Sequence, residues 1–136
     1  MDGTVSPHEI VTAPGLAEPV GFAHAVVAGR TVYLGGQTAQ GQDGTIVGES
    51  IVEQFDVAAG NVVTALTAAG SSPSHLVSLV IYTTVVPEYR SALRELGPVW
   101  RKHFGRHYPA VALLGVAALF DDAAKIELVG TAVIPG

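Results

Sequence analysis

The sequence predicts an α+β domain of order ββαβαββ, with a mixed sheet covered on one face by two helices. Three observations carry this. Runs rich in β-branched and aromatic residues alternate with two segments of helical apolar period. Gly and Pro punctuate the runs at short intervals. The 136 residues contain no repeat, low-complexity block or linker, so 1–136 is expected to be a single domain, with 1–19 as an extended N-terminal segment.

Phe22 to Val27 reads as the first strand, Ala28-Gly29-Arg30 as a tight connection and Thr31 to Gln37 as the second strand of a hairpin. Gln40 to Gly44, with Asp43-Gly44, is a turn-rich loop. Ser50 and Glu53 form a capping box: the hydroxyl accepts from the third backbone N–H and the carboxylate reaches back to the cap. The helix this opens runs to about Ala69, with Val52, Phe55, Ala59, Val62, Val63 and Leu66 in one stripe and Gly70 as its stop. Leu76 to Val86 is almost unbroken β-forming sequence, expected to be a central strand buried on both faces. Pro87 suits the first turn of the next helix, which should carry Tyr89, Leu93, Leu96, Trp100 and Phe104 inward, kink at Gly97-Pro98 and end at Gly105. Ala110 to Leu119 and Lys125 to Ile134 are the last two strands, joined by Phe120 to Ala124.

Composition narrows the function. With no cysteine, disulfide frameworks, thiolate metal sites and a cysteine nucleophile are excluded. A net charge of −5 argues against nucleic acid as the main partner. Hydrophobic residues make up 49% and charged residues 14%, more apolar than a small monomer needs, which points to subunit interfaces. Two helices leave one sheet face apolar, with Val129, Val133, Val111 and Leu113 as its candidates, and a symmetric homo-oligomer would cover it. Met1 to Pro14 has neither a basic nor an apolar run, and no stretch approaches a membrane span; a cytoplasmic protein without membrane partners is expected.

Several local patterns resemble the RidA/YjgF family of reactive-intermediate (imine/enamine) deaminases, whose older label is endoribonuclease L-PSP. They are Gly21-Phe22-Ala23-His24-Ala25-Val26, Gly35-Gly36-Gln37, Ala68-Ala69-Gly70-Ser71-Ser72, Tyr82 to Val86 leading into Pro87-Glu88-Tyr89, Tyr108-Pro109-Ala110, and Lys125-Ile126-Glu127. Their order and spacing agree from about Val20 to Ile134. The resemblance implies a chorismate-mutase-like fold and a homotrimer, a trimeric barrel with three clefts between subunits. It also implies departures. The family's carboxylate-clamping arginine is replaced by Val111, a tyrosine by Phe22, a serine by Gly35 and a cysteine by Leu113, and the asparagine of the second helix has no counterpart. The glutamate that handles water in the resembling deaminases is present as Glu127.

Glu127 lies between Ile126 and Leu128; in a partly desolvated cleft it would serve as an acid or base, and otherwise it is a strand-end glutamate facing water beside Lys125. His24 follows Phe22 by two, so in a strand both share a face and His24 could donate a proton; a structural, hydrogen-bonded histidine is the competing expectation. Phe22, Gly35, Gly36, Tyr108, Val111 and Leu113 are the expected substrate-binding residues. Trp100, on the helix stripe, is expected in the core. His103 and His107 have the spacing of a helical metal pair, but Gly105 intervenes and no third ligand is evident, so no metal and no cofactor is expected. Arg101, Lys102, His103 and Arg106 instead complement a helix C-terminus. Gly35-Gly36 lies in a strand pattern without a phosphate-loop motif, and Ser71-Ser72 lack a nucleophile elbow.

The resulting expectation is a divergent member of the family acting on a small, mainly neutral or apolar molecule in an inter-subunit cleft. The chemistry would be enamine or imine hydrolysis, or related tautomerisation or dehydration, with Glu127 as acid/base. The alternative is a non-catalytic, ligand-binding or regulatory trimer. Ribonuclease action rests only on the older family label, and the acidic net charge argues against it.

Overall fold

A computed structural model describes residues 5–136; Met1 to Thr4, at the start of the expected N-terminal segment, lie outside the described residues. The sheet has six strands, β1 (Glu9–Val11), β2 (Ala25–Ala28), β3 (Thr31–Leu34), β4 (Leu76–Thr83), β5 (Ala110–Gly115) and β6 (Ile126–Val133), in the spatial order β1-β2-β3-β6-β4-β5. All neighbours are antiparallel except β4 and β5. Helices α1 (Ile51–Ala68), α2 (Val86–Ser91) and α3 (Leu93–Phe104) complete the mixed α+β fold. None of the described helices is long and apolar enough to cross a membrane.

Several elements depart from the sequence reading. β1 was not foreseen: its three residues are too short to show a period, and it is held by pairing with β2 through Ile10 and Val26. β2 begins at Ala25 and not at Phe22, because the backbone of 21–24 bends at Gly21, φ +82°, and turns the His24 side chain inward. β3 ends at Leu34, yet Gln37 still exchanges both backbone hydrogen bonds with Leu128 at 2.8 Å.

The capping box of α1 forms as expected: Ser50 Oγ accepts from Glu53 N–H, and Glu53 accepts from Ser50 N–H. Its buried face centres on Ile51, Gln54, Phe55, Ala58, Ala59, Val62, Ala65 and Leu66, so Val52 and Val63 lie at the margin and are only half-buried. Gly70 adopts φ +79°, the left-handed conformation expected of a helix stop.

The helix predicted after Pro87 is two helices, and the break falls at Ala92. Pro98 stays inside α3. The bond Pro98 cannot make would have gone to the carbonyl of Arg94, on an exposed part of the first turn where water can take it. Leu93, expected inward, starts α3 with 57% of its surface exposed, while Leu96 and Phe104 are buried.

β4 stops at Thr83 and is buried on one face only, not both. Leu79, Ile81 and Thr83 pack under the helices, and Val80 and Tyr82 face the other way. β6 alternates in the same sense: Ile126, Leu128 and Ala132 join Phe55, Val62 and Leu66 in the core, while Glu127, Val129, Thr131 and Val133 line the uncovered face. β5 also ends early, at Gly115, and all six of its residues are exposed. Its register sets Val111 beside Leu79 and Leu113 beside Ile81. These two side chains therefore belong to the helix side of the sheet, beyond the reach of the helices, and not to the uncovered face with Val129 and Val133.

Candidate functional site

The site is built where β6 passes the end of β3. Glu127 pairs with Tyr82 across β6 and β4, and its side chain leaves on the uncovered face toward Gly36. A Cβ on Gly36 would collide with the Glu127 carboxylate, so glycine supplies the space this group occupies. Gly35 is required for a different reason. Its N–H donates to the His24 carbonyl at 2.9 Å, and a Cβ there would stand 2.6 Å from the Ala23 carbonyl oxygen. The pair thus allows residues 23–24 and the Glu127 side chain to close in from opposite sides.

Val20, Phe22, Gly35, Gly36, Phe120 and Glu127 line a cavity of about 410 Å³. It continues into a second space of about 320 Å³ that shares Phe22, Phe120 and Glu127 and adds Thr38, Gln40, Ile46 and Asp121. Phe22 is 54% exposed and Phe120 fully so, both rings standing at the opening. Burial raises the pKa of Glu127 from its ordinary value, and no hydrogen bond or neighbouring charge among the described residues opposes it. Lys125, two residues away, is turned to Glu88 at 2.9 Å, and Glu127 is half-buried in the cleft, unlike the strand-end glutamate facing water of the competing expectation.

His24 adjoins Phe22 edge-on, ring centroids 6.2 Å apart, but not as a strand neighbour on the same face. It is 2% exposed. Its Nδ1 accepts from Ala13 N–H at 2.8 Å, and its Nε2–H donates to the Ala17 carbonyl at 2.9 Å. Both nitrogens are committed to backbone, which leaves none for a ligand and corrects the expectation of a proton donor. The imidazole instead clasps residues 13–17 behind Phe22.

The remaining expected residues lie elsewhere within one chain. Tyr108 stacks on Trp100 with planes 5° apart and borders a separate pocket of about 190 Å³ with Phe55, Tyr89 and Leu96. Val111 and Leu113 sit on β5, separated from β6 by β4. Trp100 packs half-buried against Phe104 and donates its indole N–H to the His107 carbonyl. The two histidines of the metal-like spacing turn to different partners: His103 Nε2 donates to Asp56 Oδ1 at 2.6 Å, and His107 Nε2 donates to the Leu76 carbonyl at 2.7 Å.

Sequence reasoning missed Val20, Thr38, Gln40, Ile46, Phe120 and Asp121. Phe120 and Asp121 fall in the stretch read as a plain connection. An aromatic residue there carries no period that would mark its role.

Comparison with known proteins agrees with this architecture. The family described as Endoribonuclease L-PSP matches residues 13–134. The chain is 27% identical over 132 residues to a 2-iminobutanoate/2-iminopropanoate deaminase of Dermatophagoides farinae, covering 96% of this chain and 99% of that protein. It is 28% identical over 119 residues to Protein HMF1 of Saccharomyces cerevisiae, covering 88% of each. The crystal structure of RidA from the Antarctic bacterium Psychrobacter sp. PAMC 21119 superposes with a TM-score of 0.80 at 25% identity, covering 93% of this chain and 99% of that one. With the match running through every strand from β2 to β6 and through the Glu127 cleft, the chain belongs to the Endoribonuclease L-PSP family, the RidA/YjgF proteins.

Proposed function

We propose that this protein is an enzyme that hydrolyses a small imine or enamine, or carries out a related proton-transfer or dehydration step, with Glu127 as the acid/base group. The observation that carries the reading is the Glu127 carboxylate. It is half-buried on the floor of a largely apolar cleft, without a partner among the described residues, and burial raises its pKa from the ordinary carboxyl value, which favours acid/base work. The similarity to proteins named as imine deaminases supports the reaction class. The substrate is mainly apolar and lacks a carboxylate, since Val111 replaces the arginine that would clamp one, and an apolar wall leaves such a group unpaired.

The working assembly is a homotrimer. Within one chain Tyr108, Val111 and Leu113 lie across the sheet from Glu127, so they can join its cleft only when a neighbouring copy presents them. The exposed β5 strand and the uncovered apolar sheet face support this arrangement.

The test is ammonia release from uncharged-tail imines beside a 2-imino acid. Turnover of the former is expected, with the 2-imino acid a poor substrate and Glu127→Gln lowering turnover by about 10²–10⁴-fold. Unchanged turnover in a folded Glu127→Gln protein would remove the carboxylate from the mechanism.

A second reading has its own support. Both ring nitrogens of His24 are committed to backbone, so it does not serve Glu127 as a partner acid or base. That favours a trimer that binds a small ligand without transforming it. Saturable binding without ammonia release from any imine would decide for this reading.

A further inference from the structure

Within one chain, the described residues give the cleft around Glu127 negative charge and no positive charge. Among the described side chains that line it, only Glu127 and Asp121 carry charge, and both are acids. The nearest cation along the chain, Lys125, is already bound by Glu88. Two exposed phenyl rings, Phe22 and Phe120, frame the opening above the carboxylate.

These features have one electrostatic consequence. A ligand carboxylate entering here would meet two like charges, with no donor of opposite sign to offset the loss of its water. A ligand ammonium or iminium would meet the reverse. A charge-assisted hydrogen bond to a carboxylate is about twice as strong as a neutral one. Aromatic faces add attraction for a cation within ~6 Å of the ring centre. The apolar walls of Val20, Phe22 and Phe120 suit a compact hydrocarbon body behind the charged nitrogen.

We propose that this cleft selects ligands with a cationic nitrogen head, an ammonium or an iminium, on a small apolar body, and rejects carboxylates. The proposal rests on reading the cleft as the ligand site and names the substrate class for the hydrolysis above: a protonated imine without an acid group. The step balances without a co-reactant other than water. Water adds to the C=N carbon of the iminium, its proton passes to Glu127, and the π pair moves onto nitrogen to give a carbinolamine. The proton then returns from Glu127 to nitrogen. The C–N bond breaks with its pair leaving on nitrogen, and the hydroxyl proton ends on the departing ammonia. The products are a carbonyl compound and ammonium.

The test uses three probes of one shape, benzylammonium, benzyl alcohol and benzoate, titrated calorimetrically into the full-length protein near neutral pH. Benzylammonium is expected to bind at least about ten-fold more tightly than the alcohol, with benzoate weakest. Glu127→Gln is expected to abolish the preference for the ammonium, and Asp121→Asn to reduce it by a smaller factor. Three results would overturn the proposal: benzoate binding as tightly as benzylammonium, no benzylammonium binding at millimolar concentration, or an unchanged preference in Glu127→Gln. The comparison of probes on the unmodified protein stands whether or not a variant folds. It is also independent of turnover. A cleft that hydrolyses imines yet prefers benzoate would sink the charge preference alone, and one that selects the ammonium without any turnover would sink the hydrolytic reading alone.

Discussion

Glu127 should be visible in the stability of the protein as well as in its chemistry. Burial raises its folded-state pKa above the unfolded value, so the folded chain holds the proton more tightly than the unfolded chain does. The stability this confers is complete below the ordinary carboxyl range and is lost as pH rises through the raised value. Thermal unfolding of Glu127→Gln across a pH series is therefore expected to match the parent in acid and exceed it at neutral pH. A gap that widened in acid would contradict the burial argument. Gly36 offers a second residue-level test. The atom it would strike belongs to the flexible end of a side chain, so Gly36→Ala should fold with a nearly unchanged melting temperature while displacing the carboxylate. Loss of turnover or ligand binding with retained stability is the expected pattern. Gly35→Ala should do the opposite and lower stability, because the Ala23 backbone stands in the way.

At the scale of elements, Gln54 is the residue on which the site's framework depends. Its amide N–H₂ donates to the carbonyls of Gly48 and Ala123, and its carbonyl accepts from Lys125 N–H at 2.8 Å. One buried side chain thus joins the entry to α1, the loop that carries Phe120 and the start of β6. Gln54→Ala leaves those groups without partners, and each orphaned buried group costs about 1–3 kcal/mol. Urea denaturation should register a loss of at least about 2 kcal/mol. What the sequence disclosed at this scale follows a physical pattern. The capping box, the Gly70 stop and the strand character of 76–83 and 126–133 are set by neighbours along the chain and could be read directly. Strand β1, the break at Ala92 and the inward turn of His24 are set by partners far away in sequence, and no local period announces them. The same division runs through the site. Glu127, Gly35 and Gly36 are legible through the family resemblance of the motifs that carry them, whereas Phe120 joins the cleft from a loop that Gln54 helps to hold through the Ala123 carbonyl.

At the scale of the whole molecule, the exposed β5 edge makes assembly the central expectation. Val111, Leu113 and Leu114 are 48%, 37% and 47% exposed on a strand that has one neighbour. Apolar edges of this kind are normally covered. Sedimentation of the protein at micromolar concentration is expected to give a trimer, and Val111→Lys to shift it toward smaller species. A monomeric parent protein would overturn the inter-subunit placement of Tyr108, Val111 and Leu113.

The order of strands has a consequence for how the protein comes into being. β6 is the last of the six to leave the ribosome, yet it lies between β3 and β4, inside the sheet. Until it arrives, β1-β2-β3 and β4-β5 are two separate half-sheets, each with the edge that β6 will occupy still unpaired. A nascent chain stalled before Ile126 therefore exposes two sticky borders at once and is a natural client for chaperones. Glu127 rides on that same final strand. The act that closes the sheet also delivers the Glu127 carboxylate, so an incompletely made chain has neither a finished core nor a finished cleft.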